Sequence, residues 1–251
     1  MLNDGMILIN TFEEPFGDEF GKGVWTELSG TASSSIQGNI VALASFNGEI
    51  RFSACTGFFI EWNGCSTVLT STSLVRKSGY ENMINKNLRI EVLLPTKQRV
   101  EGTLQHYNLH YNVALVSVKG FCASHPAKIQ HLWNDHSCDV VAAGYCFKSG
   151  KLMAARGEQF GRPVLLDCKY LLYSRCKITK AGIGGPLLDF DGRFIGMNFY
   201  GQDQGTPYLH WSVILCVLEH FKTQGQLLKL TMLVSHLICL VGLWLKIAVF
   251  G

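Results

Sequence analysis

Residues 40–70 read IVALASFNGEIRFSACTGFFIEWNGCSTVLT. Three apolar runs, Ile40 to Phe46, Ile50 to Ile60 and Cys65 to Thr70, are separated by Asn47-Gly48 and Asn63-Gly64. An Asn-Gly pair accepts positive φ at both central positions, the turn geometry whose twist suits two antiparallel strands. The stretch is therefore expected to fold as two successive hairpins. Downstream, Leu88 to Leu94 (LRIEVLL) alternates charged and apolar residues and stops before Pro95, as a half-exposed strand does. Val100 to His106 and Val113 to Val118 follow. Short strands at this density point to a small antiparallel barrel.

Residues 121–137 are richer in His, Asn and Pro and read as a connector. A second set of strands is expected at Val140 to Gly144, Lys151 to Gly157, Val164 to Tyr173 and Leu187 to Tyr200, the last folded at Asp191-Gly192. Ser212 to Lys222 then places Val213, Ile214, Val217, Leu218 and Phe221 on one helical face. The implied order is an N-terminal arm (1–35), a first barrel (36–120), the connector, a second barrel with a closing helix (138–225) and a tail (226–251). Phe12, Phe16, Phe20 and Trp25 leave packing of the arm on the barrels or on a partner open, but the acidic, glycine-rich EEPFGDEFGKG of residues 13–23 favours a surface arm.

Composition narrows the function classes. The chain has 251 residues, 47% of them apolar and 16% charged, which is globular rather than disordered. A net charge of +3, with Lys and Arg scattered, argues against a nucleic-acid partner. The start of the chain is acidic and lacks the pattern of a secretory signal, which predicts a cytoplasmic or nuclear protein. The nine cysteines are accordingly read as buried thiols, and Cys138, Cys146, Cys168 and Cys176 lack the tight pairs of a structural zinc site. The tail is strongly apolar, with no Lys, Arg, Asp or Glu between Leu230 and Leu245. Residues 227–250 are thus a candidate membrane anchor, with a docked amphipathic helix or an erroneous gene end as the competing readings.

Three segments, in order, resemble the trypsin-like serine proteases, and most closely their HtrA/Deg branch. VLTSTSLV (68–75) is similar to the family's segment around the catalytic histidine. YNVALVSV (111–118) is similar to the segment around the aspartate. AGIGGPLL (181–188) is similar to the segment around the nucleophile. The resemblance runs from about Ile36 to Lys222 and implies an all-β fold of two antiparallel six-stranded barrels with a short C-terminal helix. It also implies that the histidine, aspartate and nucleophile positions are Ser73, Asn112 and Ile183. Secreted trypsins place a cysteine right after the histidine, where this chain has Leu74. The 29 residues after Lys222 are too few for the PDZ module that HtrA-type enzymes carry, so none is expected.

The chemistry of that family needs a hydroxyl nucleophile, an imidazole base and an orienting carboxylate. Ser73 is no base near neutral pH, Asn112 carries no charge, and Ile183 has no side-chain heteroatom. The former oxyanion loop is Ala181, Gly182, Ile183 and Gly184. Ala181 adds a Cβ where the family has glycine, which would force a rearrangement if the position required positive φ. His106 and His110 lie nearby in LQHYNLHYN (104–112), four apart on an expected strand. With no third ligand in the pattern, neither a metal nor any other cofactor is expected. Thr179 precedes Ile183 by four residues, with no base placed beside it by any motif.

The chain is therefore expected to be a pseudoprotease that binds a peptide or protein in the former substrate cleft. The alternatives are a weak hydrolase working through other residues and an idle product of a decaying gene. Ligand identity and oligomeric state are not encoded in these patterns.

Overall fold

The computed structural model describes residues 13–77, 83–123, 126–127, 129, 139–160, 170–201 and 205–224. The chain divides into two compact units, Met1–Ile214 and Leu215–Gly251, and both barrels belong to the first. The apolar tail from 226, the expected strand portion 164–169, and Cys138, Cys168 and Cys239 lie outside the described residues.

The first barrel comprises β2 (Ile40–Asn47), β3 (Ile50–Trp62), β4 (Cys65–Thr70), β5 (Arg89–Leu93), β6 (Arg99–Asn108) and β7 (Val113–Val118), closed in the order β2-β3-β4-β7-β6-β5. Asn63-Gly64 forms the expected turn, with φ of 50° and 74°. The first hairpin is shifted by one residue. Asn47 pairs with Ile50, so the two-residue turn is Gly48-Glu49, with only Gly48 at positive φ. Glycine at the first central position suits that turn without help from asparagine. The apolar run of β2 is continuous rather than alternating because both its faces are covered. Val41 and Leu43 belong to the barrel core, and β2 also contacts the second barrel's first strand, Asp139–Tyr145.

The second barrel comprises β8 (Asp139–Tyr145), β9 (Leu152–Phe160), β10 (Leu171–Ser174), β11 (Pro186–Leu188), β12 (Phe194–Asn198) and β13 (Thr206–His210). The β8–β9 pairing closes this sheet, as the trypsin-like fold requires. The segment expected as one folded run from Leu187 is thus β11 and β12, joined at Asp189–Arg193. Phe58 and Phe194 meet across the barrels at 4.8 Å. Residues 211–224 form α3, in which Ile214, Val217, Leu218 and Phe221 are buried at helical spacing. Among the described residues no helix is long and apolar enough to cross a membrane.

The N-terminal arm departs from its expected surface position. From Glu13 it is packed: β1 (Asp18–Glu19) pairs with Met153 and Ala154 of β9, α1 (Val24–Glu27) buries Val24 and Trp25, and α2 (Gly30–Asn39) buries Ala32 and Ile36. Asp18 ties β1 to α1 by accepting from Val24 N at 2.9 Å, and Ser29 caps α2. Asp18 and Glu19 do face solvent, but Phe16, Trp25, Leu28 and Ile36 supply an apolar face that composition alone conceals. Gly17, at φ 56°, lets the backbone approach β9 so closely that a Cβ there would meet Ala154 O at 2.1 Å.

Each barrel has its own apolar cluster, and Cys55 sits in the first. Burial pushes its thiol from 9.0 up to about 12, despite a hydrogen-bonding contact with Thr70 Oγ1 at 3.2 Å. Between those two values only the unfolded chain ionises this group, so its contribution to stability is intact below pH 9.0 and is lost as pH rises toward about 12. Urea unfolding of the wild type should therefore show a steeper loss of stability across that window than Cys55→Ala does. Equal slopes would place the thiol outside the core.

Candidate functional site

The three positions singled out by the sequence motifs converge where the barrels meet. β4 ends at Thr70, and the chain turns into a short 3-10 segment, Thr72–Leu74, capped by the Ser71 hydroxyl accepting from Ser73 N at 3.0 Å. Asn112 stands just before β7, in the left-handed region at φ 55°. That conformation suits asparagine better than most side chains. Its Oδ1 accepts from Thr72 Oγ1 and lies 2.9 Å from Ser71 Oγ, while its Nδ2 reaches Ser73 Oγ at 3.4 Å. Ser71 Oγ is also 2.9 Å from Ser73 Oγ. Ser73 and Asn112 are thus brought into one cluster of hydroxyls and an amide.

Ser71 and Thr72, which motif reading passed over, make the stronger bonds of this cluster. Arg76 closes it from one side, donating to Leu109 O at 2.6 Å and to Thr72 Oγ1 at 3.3 Å. The only sequence signal for these roles is the unbroken polar run Ser71-Thr72-Ser73 after an apolar strand. A hydroxyl there has an amide acceptor about 40 positions on, which linear spacing does not reveal.

Ile183 follows a second 3-10 segment, Lys180–Gly182. Its side chain packs against the first barrel's apolar cluster. Its N–H donates to Lys180 O at 3.2 Å, and Gly182 N donates to Thr179 O at 3.0 Å, so both amides are spent inside the turn. Ala181 is not among the positive-φ residues and fits this turn without strain. The positive φ of the loop falls instead on Gly184, at 79°, where a Cβ would meet Thr56 O at 2.4 Å and Ser71 N at 3.0 Å. That closeness seats the loop directly against the Ser71–Ser73 segment.

Thr56 on β3 fastens the loop. Its N–H donates to Ile183 O at 2.8 Å, its hydroxyl donates to Ala181 O at 2.6 Å and accepts from Tyr145 N at 2.9 Å, and its carbonyl accepts from Thr70 Oγ1 at 2.7 Å. Thr179 donates its hydroxyl to Glu14 O at 2.7 Å and is likewise engaged.

The two histidines do not share a face. β6 carries a bulge between Leu104 and His106 and ends at Asn108, so His110 lies in the following turn. His106 stands edge-on to Trp62, and burial lowers its pKa. His110 contacts Tyr111 and Tyr170, which themselves meet at 5.3 Å across the two barrels beside Asn112. Among the described residues no three His, Cys, Asp or Glu side chains are grouped as metal ligands. Two cavities open elsewhere: one of about 430 Å³ lined by Val75, Ile84, Leu88 and Tyr107 among others, and one of about 240 Å³ beside Glu19, Lys97 and Lys151. Neither is lined by Ser73, Asn112 or Ile183.

Comparison with known proteins agrees with this architecture. The model of the trypsin-like peptidase domain matches residues 55–197, which include all three positions. Do-like 14 of Arabidopsis thaliana, named as a protease, is 25% identical over 249 residues, covering 86% of this chain. The chain spans 56% of that relative's length. A crystal structure of an inactive form of Rv3671c from M. tuberculosis H37Rv superposes with a TM-score of 0.59 at 18% identity, over 83% of this chain and 97% of the other.

Two substitutions separate the contributions of Asn112. Asn112→Gly keeps the backbone conformation but removes the amide, and should cost about 1–3 kcal/mol because Ser71 and Thr72 lose their acceptor. Asn112→Ala adds the left-handed strain, about 1–2 kcal/mol more. Urea titrations of the two variants check both figures. An alanine variant no worse than the glycine one would show that the positive φ carries no strain.

Proposed function

The chain belongs to the trypsin-like peptidase domain family, and from that premise we propose that it is a non-catalytic member, a pseudoprotease that holds an extended peptide or protein segment in the former substrate cleft. The observation that carries this reading is Ile183. Where the family motif has its nucleophile, the side chain is packed against the first barrel's core and the N–H is consumed by Lys180 O. Acyl transfer needs a heteroatom to attack the carbonyl and donors aimed at the oxyanion that forms. This loop offers no such heteroatom at Ile183, and the Ile183 amide is already bonded within the turn. Ser73 and Asn112 compound the loss, since Ser73 takes up no proton near neutral pH and Asn112 has no charge with which to orient and stabilise a base. Removing the nucleophile or the base alone costs on the order of a million-fold in subtilisin.

The binding half of the proposal rests on what the fold retains. Both barrels are closed, and the junction between them is rimmed by Tyr111 and Tyr170, the latter well exposed. Aromatic rims with adjacent strand backbone suit an extended peptide that places apolar side chains between rings. Such a module would act by occupying partners that active relatives cleave. Its place in the cytoplasm or nucleus, and any membrane attachment through residues 227–250, belong to the same proposal.

The test uses the full chain with a serine-reactive fluorophosphonate probe, beside a variant carrying Ser73→His, Asn112→Asp and Ile183→Ser. The wild type should stay unlabelled in gel fluorescence, and a labelled wild-type serine would overturn the non-catalytic reading. Peptides enriched by phage display on the wild type should bind a Tyr111→Ala, Tyr170→Ala variant about tenfold more weakly or worse. Undiminished binding would remove the cleft from the proposal.

A further inference from the structure

The segment Glu13 to Phe16 is held as a bound peptide would be. The Phe16 ring enters the second barrel's apolar cluster together with Ala181, with Ile178 packed against it. Space for the ring exists because two neighbours are glycine: a Cβ on Gly144 would lie 2.7 Å from it, and one on Gly182 would lie 3.0 Å away. Phe16 N donates to Met153 Sδ at 3.3 Å, and Glu14 O accepts from Thr179 Oγ1 at 2.7 Å. The Glu13 carboxylate pairs with Arg51 of the first barrel, accepts from Lys148 N at 3.0 Å, and takes the Cys146 thiol at 2.9 Å. Beyond Gly17, β1 adds a strand to β9. An anchored carboxylate, an aromatic ring in a pocket and strand addition are the three ordinary elements of peptide recognition.

Every residue between Ile178 and Gly182 that touches this segment belongs to the loop carrying Ile183. The ring lies beneath Gly182, and Thr179 is bonded to the segment's backbone. We propose that residues 13–16 are an intramolecular wedge that holds the 178–183 loop in its closed turn, and that the groove they fill is a regulatory site for peptides with a carboxylate three residues before a phenylalanine. The groove lies behind the loop and not in the cleft, so this proposal stands or falls separately from cleft binding.

Hydrogen exchange of the full chain, read by mass spectrometry, tests it. Phe16→Ala empties the pocket, and exchange over residues 180–185 should accelerate at least about tenfold while β2–β4 stay as protected as in the wild type. Adding the synthetic peptide EEPFGDEF, the sequence of residues 13–20, should restore slow exchange in that variant. If Phe16→Ala does not fold, Glu13→Gln loosens the same anchor and should show the same local change at about threefold or more. Exchange over 180–185 that matches the wild type, or that the peptide leaves unslowed, overturns the wedge.

Discussion

Thr56 is the constraint on which the rest of the site depends. It is fully buried, and each of its polar atoms bonds a different part of the molecule: the Ile183 carbonyl, the Ala181 carbonyl, the Tyr145 amide and the Thr70 hydroxyl. Two of these belong to the 181–183 loop, one to β8 of the second barrel and one to β4 of the first. Buried polar groups that are all satisfied specify one arrangement, because any other leaves a donor or acceptor stranded in an apolar surrounding. The barrels therefore have little freedom to slide, and the loop between them inherits its position from β3. Gly184 completes the fit, since no other residue could come so near the Thr56 carbonyl.

Much of the fold was legible because strand pairing leaves a short-range trace. Cys65–Thr70 and Val113–Val118 carry their own boundaries in the alternation of apolar and turn residues, and Asn63-Gly64 announces its hairpin. Asn47-Gly48 misled by one position, because the same dipeptide can sit with its asparagine on the strand and only its glycine in the turn. The arm misled more fully. Its partners are far away in sequence, so the aromatics Phe16 and Trp25 could hint at packing while the acidic residues and glycines around them tipped the reading toward the surface.

The site was legible as positions and not as contacts. Motif spacing located Ser73, Asn112 and Ile183, and the fold brings them to one junction. It could not supply Ser71 and Thr72, whose importance lies in reaching the Asn112 carbonyl oxygen across strands. Nor could it foresee the use of the Ile183 amide. A backbone N–H is present whatever the side chain, and only the turn decides whether it faces a ligand or its own chain. The histidine pair shows the same limit from the other side: four residues apart means a shared face only while the strand lasts, and β6 ends between them.

The wide separation of the arm from its seat bears on how this chain is made. Glu14 bonds Thr179 across 165 positions, and Phe16 meets Met153 across 137. During synthesis the arm precedes both, so a growing chain carries its phenylalanine uncovered until the second barrel has left the ribosome. The first barrel can close meanwhile, since all its strands are contiguous, whereas β9 of the second receives an added strand from a segment older than any of that barrel's own strands. Contacts of such span are slow to form and leave apolar surface open to chance encounters. Newly made copies would for that interval be the ones most in need of a chaperone.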